Sequence, residues 1–165
     1  MIKLLLLTML LAVWAPAQGA PDEGHEHPWS QQFQLRQSLQ RSTSFGIEVE
    51  DGWVKKEVDE LTSFYHPNGD GVLKIQSYSA PGVVDKERLR NLTNLDWSTP
   101  LAWQDWGGFS GYQYDYSERG SFFRQWWLVN QLTIIFVVYE SSVELQETDI
   151  DEIDRIVNSM TVNES

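Results

Sequence analysis

Phe109-Ser110-Gly111-Tyr112-Gln113-Tyr114-Asp115-Tyr116-Ser117-Glu118-Arg119-Gly120-Ser121-Phe122-Phe123-Arg124-Gln125-Trp126-Trp127-Leu128-Val129-Asn130-Gln131-Leu132-Thr133-Ile134-Ile135-Phe136-Val137-Val138-Tyr139 sets the architecture of this chain. Its β-branched and aromatic residues predict strands at Phe109 to Ser117, Phe122 to Val129 and Leu132 to Tyr139, separated by short breaks at Arg119-Gly120 and Asn130-Gln131. Two-residue turns at both breaks would make two consecutive hairpins. The first would set Asp115 opposite Arg124, and the second would set Trp127 opposite Ile134. Because side chains alternate, one face then carries Tyr112, Tyr114, Tyr116, Phe123, Trp127, Ile134, Phe136 and Val138. The other carries Phe122, Trp126, Leu128, Ile135 and Val137, with the Asp115 and Arg124 pair. A strand apolar on both sides, as Leu132 to Tyr139 is, belongs in the middle of a sheet with a layer over each face.

Working outward, Leu61 to Tyr65 and Val72 to Tyr78 flank the loop His66-Pro67-Asn68-Gly69-Asp70-Gly71 and read as another hairpin. Phe45 to Val49 alternates and stops at Asp51-Gly52, which reads as a further strand. Asp85 to Asp96 fits a helix with Leu89, Leu92 and Leu95 on one side. A second helix closes the chain, with Thr148 as N-cap, acidic residues in the first turn and Ile150, Ile153, Val157 and Met160 as its apolar stripe. Strands, helix, strands, helix is an α/β order. The expected fold is an antiparallel β-sheet covered by helices on both faces.

The N-terminus has one charge at Lys3, an apolar run from Leu4 to Trp14 broken only by Thr8, and small residues at Ala15, Ala17, Gly19 and Ala20. Residues 1–20 are therefore expected to be a signal peptide, cleaved after Ala17, Gly19 or Ala20. The apolar run is too short to cross a bilayer as a helix. Residues 21–44 are polar and expected to be flexible, and residues 45–162 form a single α/β domain. The chain has no cysteine, which excludes disulfides and a cysteine-borne lipid anchor. A periplasmic or secreted protein is expected. The formal net charge of −12 opposes nucleic acid and anionic membranes as partners. It keeps an exported protein soluble.

No nucleophile elbow, phosphate loop or prominent carboxylate pair occurs, and His66 is the only histidine inside the expected domain, so the chain is read as not an enzyme. No cofactor is implied. His25 and His27 lie in the flexible segment, Asn68-Gly69-Asp70-Gly71 lacks the spaced oxygen ligands of a calcium loop, and no metal site is expected. The acidic run Asp149 to Asp154 is explained by helix capping and a solvated face. What remains is aromatic: Trp97, Trp103, Trp106, Phe109 and Tyr112 sit in a segment interrupted by Pro100 and Gly107-Gly108, where rigid contact area coincides with loop-forming backbone. These five are the candidate binding residues.

The residues Asp51-Gly52-Trp53, Ser63-Phe64-Tyr65-His66-Pro67, Gly71-Val72-Leu73-Lys74-Ile75, Gly107-Gly108-Phe109-Ser110-Gly111-Tyr112, Trp126-Trp127-Leu128 and the helix from Ile153 to Met160 resemble an uncharacterised family of small bacterial proteins. That family is similar in turn to the PsbP-like α/β/α sandwich. The resemblance covers Phe45 to Met160 and implies the fold. Better-known members of that fold, an accessory protein of photosystem II and a Ran-binding import factor, act by binding other proteins, so the resemblance implies a non-catalytic accessory protein that engages a protein partner. A carbohydrate- or small-ligand-binding module using Trp97 to Trp106 is the alternative. An exposed, concave aromatic row would favour the ligand, and buried rings would favour protein contact elsewhere.

Overall fold

The computed structural model describes residues 40–41, 45–58, 61–66, 71–93 and 95–163. The expected signal peptide, His25, His27 and residues 67–70 lie outside these. Ten strands occur among the described residues: β1 (Gln40–Arg41), β2 (Phe45–Gly46), β3 (Val54–Val58), β4 (Leu61–Tyr65), β5 (Val72–Ser79), β6 (Trp103–Trp106), β7 (Phe109–Glu118), β8 (Ser121–Asn130), β9 (Thr133–Ser142) and β10 (Thr161–Val162). Two α-helices accompany them among the described residues, α1 (Lys86–Leu92) and α2 (Gln146–Asn158). The main sheet runs β3-β4-β5-β9-β8-β7-β6, antiparallel throughout, with β1 on β5.

β9 is central, as its two-sided apolar pattern requires, and its segment Ile134 to Tyr139 is wholly buried. The first hairpin has the expected register, with Asp115 opposite Arg124. Arg119 and Gly120 both adopt positive φ, which matches the right-handed twist of the flanking strands. The second turn differs from the expectation. It falls at Gln131-Leu132, with Asn130 opposite Thr133, so Trp127 faces Phe136 instead of Ile134. Gln131 takes the left-handed conformation at φ 51. A turn displaced by one residue moves every partner two places along the facing strand and leaves both faces intact.

One face is therefore a cluster of Trp106, Phe109, Phe122, Trp126, Leu128, Ile135, Val137 and Tyr139 beneath Ile153, Ile156, Val157 and Met160 of α2 and its end. The other gathers Tyr78, Tyr112, Phe123, Trp127, Val129, Ile134, Phe136 and Val138, with Val84 and Leu89 packed on them. Three further expectations change. Phe45 to Val49 yields only the two residues of β2, and these pair with β10 rather than with the main sheet. α1 ends at Leu92, short of Asp96, where the Thr93 hydroxyl donates to the Arg90 carbonyl at 2.7 Å. α2 begins at Gln146 after a 3₁₀ turn at Val143–Leu145, so Thr148 lies inside it and Leu145 is the N-cap. β3 and β6 are strands that the sequence pattern did not announce.

Candidate functional site

Asp85 caps α1, accepting from the Arg88 amide at 2.8 Å, while the Arg88 guanidinium donates to the Gly82 and Val83 carbonyls. This anchors a short helix whose Leu89 is fully buried. Lys86 and Arg90 stand one turn apart on its flank. Beyond the helix, the Asp96 carboxylate accepts from the Ser98 amide at 2.7 Å, and the Thr99 amide donates to the Asp96 carbonyl at 2.9 Å, closing a tight turn that displays Trp97. The Ser98 hydrogen bonds hold the Asp96 carboxyl below the usual carboxylate value, with Arg90 assisting.

Arg90 ties helix and turn together. Its Nη2 donates to the carbonyls of Asp96 and Thr99. Its charge lies 5.4 Å from the Trp97 ring centre and 5.9 Å from that of Tyr112. Only 4% of the residue is exposed, and Nη1 is buried without an acceptor among the described residues. Tyr112 donates its hydroxyl to the Lys86 carbonyl at 3.2 Å, and burial raises its pKa while Arg90 opposes the rise. Lys86, Arg90, Trp97, Thr99, Pro100, Leu101 and Tyr112 together line a groove of about 280 Å³.

The five candidate residues divide. Trp97 is 63% exposed and Tyr112 is buried, and both border the groove. Trp103 is half-buried and packs edge-on against Tyr112 at 5.2 Å, as its partner on the neighbouring strand β6. Trp106 and Phe109 belong to the opposite face, 4% and 2% exposed in the core under α2, away from the groove. Gly107 and Gly108 form the β6–β7 turn beneath the end of α2, where the Gly108 amide donates to the Met160 carbonyl at 2.8 Å. A Cβ at Gly107 would strike the Asn158 and Met160 carbonyls, so the paired glycines serve packing. Sequence reading missed Lys86 and Arg90 as groove residues. The signal was their spacing of four on α1, which places two cations on one flank of the helix.

The acidic residues of α2 also reach inward rather than forming only a solvated face. Arg124 binds Asp115 through Nε and Nη2 at 2.9 and 2.8 Å and Asp154 through Nη1 at 3.0 Å, clamping α2 to the sheet. Burial works against the Arg124 charge, but the two carboxylates outweigh it and raise its pKa. Asp149 is buried and accepts from the Tyr139 hydroxyl at 2.6 Å, and burial together with that bond pushes the Tyr139 pKa far above its ordinary value. Glu152 accepts from Trp53 Nε1 at 2.7 Å and faces His66 at 3.6 Å. These contacts hold α2 and the residues before β3 in place. Among the described residues, no group of three histidine or acidic side chains is arranged to hold a metal, and no helix is long and apolar enough to cross a membrane.

No protein-family model and no curated protein matches this chain. Solved structures that share its fold include three from bacteria. A Bacteroides thetaiotaomicron VPI-5482 protein is 11% identical at TM-score 0.58, covering 78% of this chain and 50% of its own. LpqN of Mycobacterium tuberculosis, a protein involved in cell envelope biogenesis, is 17% identical at TM-score 0.55, covering 76% of this chain and 92% of its own. The cyanobacterial PsbP of Synechocystis sp. PCC 6803 is 13% identical at TM-score 0.51, covering 90% of this chain and 99% of its own. This chain thus spans about half the length of the Bacteroides protein and nearly all of the other two. The chain resembles PsbP in fold, and identities this low carry nothing further.

Proposed function

We propose that this chain is an exported, non-catalytic accessory protein, periplasmic or secreted, that engages a protein partner through the groove beside α1. The observation that carries the reading is Trp97: a large ring, 63% exposed, held on a hydrogen-bonded turn beside Pro100 and Leu101. Rigid aromatic side chains next to apolar surface are the usual energetic centres of protein contacts. The sugar-platform reading is less well supported, because Trp103 and Trp106 do not join Trp97 in an exposed row. Export rests on the N-terminal charge, apolar length and small residues. The same proposal takes the complete fold as an α/β/α sandwich with helices over both faces.

Two experiments test it. N-terminal sequencing of the protein recovered from an envelope fraction should begin between residues 18 and 21, and a full-length cytoplasmic chain would remove the export part. The mature protein used as bait in an envelope extract should retain a stoichiometric partner that Trp97→Ala loses. Equal capture by both baits would place the contact elsewhere.

A further inference from the structure

Within the groove, Arg90 is a charge whose surroundings do not complete its hydrogen bonding. Two carbonyls satisfy Nη2, the rings of Trp97 and Tyr112 lie beside the guanidinium, and Nη1 is buried with no acceptor among the described residues. Among the described residues no carboxylate lies within ion-pair distance of Arg90; the nearby Asp96 carboxylate, which its charge helps to keep ionised, is taken up by Ser98. Arg124 makes the contrast, since it is less enclosed than Arg90 and still takes two carboxylates of its own chain. A buried guanidinium is ordinarily paired, because desolvation of its charge must be offset by an anion or by full hydrogen bonding. Lys86, exposed on the same wall, adds a second positive charge to the groove.

We propose that the groove takes the C-terminal carboxylate of a partner protein whose last residue is apolar, with Arg90 Nη1 and Lys86 as the anion donors. This rests on the proposed function and names the chemistry of that same site. The charge balance selects an anion: in a chain that repels anions overall, this groove presents two cations and no acidic side chain. The walls select what carries it, since Trp97, Pro100, Leu101 and Tyr112 offer apolar and aromatic surface directly beside the donors. The groove, about 280 Å³ and open to solvent on one side, has room for a terminal side chain with its carboxylate while the rest of the partner chain stays outside. Nη1 is buried, so a carboxylate reaches it only if a neighbouring side chain moves, and Trp97, 63% exposed and 5.4 Å from the guanidinium, is the groove residue with the freedom to do so.

The test uses the full mature protein and three probes: a hexapeptide Gly-Ser-Gly-Ser-Leu-Phe with a free C-terminus, the same peptide as its C-terminal amide, and N-acetylphenylalanine. Isothermal titration should find the free acid bound at least about tenfold more tightly than the amide, the ratio expected for losing one charge-assisted pair. Affinity for the acid should fall as salt rises. Lys86→Ala should weaken the acid about three- to tenfold and the amide by less, and Lys86, being exposed, can be removed without unfolding the chain. Arg90→Lys, which also gives up the bonds to the Asp96 and Thr99 carbonyls, should abolish the preference for acid over amide. Equal binding of acid and amide by the wild-type protein, or binding of neither, overturns the proposal whatever the variants do. N-acetylphenylalanine binding as tightly as the peptide overturns the assignment to a protein C-terminus in favour of a small carboxylic acid. Partner capture that depends on Trp97 while the free-acid peptide fails would sink this inference and leave the proposed function standing. Failure of both would sink the two together.

Discussion

Trp97 and Trp106 come from one aromatic segment, and the fold puts them to opposite uses. Trp106 ends β6 with its ring under α2, among Phe109, Trp126 and Met160, and keeps 4% of its surface. Trp97 stands on the turn after α1 with 63% of its surface in solvent and an arginine behind it. The difference is one of backbone. At Trp106 the chain is already in the sheet, paired with Phe109, and pleat alternation turns the side chain toward the α2 face. At Trp97 the chain is in a turn held by Asp96, whose hydrogen bonds shape the backbone without assigning the ring to either layer. Residue type therefore says little about role in this segment. Position relative to the first hydrogen-bonded strand residue says much more.

The contrast is broken most directly at Trp106. Trp106→Ala should cost about 3–5 kcal/mol, read as a fall in the denaturant midpoint, because a large buried ring is replaced by a cavity. A loss under about 1 kcal/mol would mean that the ring does not belong to the core. Next in size is the clamp on the same face. Arg124→Ala should cost about 1.5–3 kcal/mol by releasing α2 from the sheet, and a cycle with Asp115→Ala should show coupling of at least about 0.5 kcal/mol. Strict additivity would reduce the clamp to surface charge.

Gly107→Ala should cost about 1–3 kcal/mol, since φ 56 disfavours a side chain and the new Cβ meets the carbonyls at the end of α2. A neutral effect would show that the β6–β7 turn does not press on that helix. The smallest stability change belongs to Trp97→Ala, expected within about 0.5 kcal/mol. The same variant should lose the partner in capture experiments. Unfolding together with unselective loss would erase the difference between the two tryptophans and return Trp97 to the core.

Much of the sheet was legible from local pattern alone. Residues from Phe109 to Tyr139 alternate so regularly that both faces, the first register and the central place of β9 follow from side-chain period and turn chemistry. The second register did not follow. Asn130, Gln131 and Leu132 offer no glycine to mark the turn, and moving it by one residue keeps every side chain on its face, so burial cannot distinguish the two choices from sequence. β3 and β6 were missed for a related reason. β3 is exposed throughout, β6 is only four residues long, and neither carries the strict alternation of a half-buried strand.

The candidate groove was legible only in part. Trp97 and Tyr112 could be named because aromatic residues near proline and turn signals stand out in one dimension. Arg90 could not, since an arginine on a short helix reads as a solvated charge until the 96–99 turn folds back over it and takes its hydrogen bonds. The same holds for Asp149 and Asp154, which resemble helix-capping residues in sequence and become buried or clamping partners of Tyr139 and Arg124 in space. Composition, the apolar N-terminus and strand alternation are properties of neighbouring residues, and the sequence alone determined them. Which charge is enclosed, which ring is left in water and which carboxylate meets which cation depend on contacts between residues far apart in the chain, and the tertiary structure alone decided those.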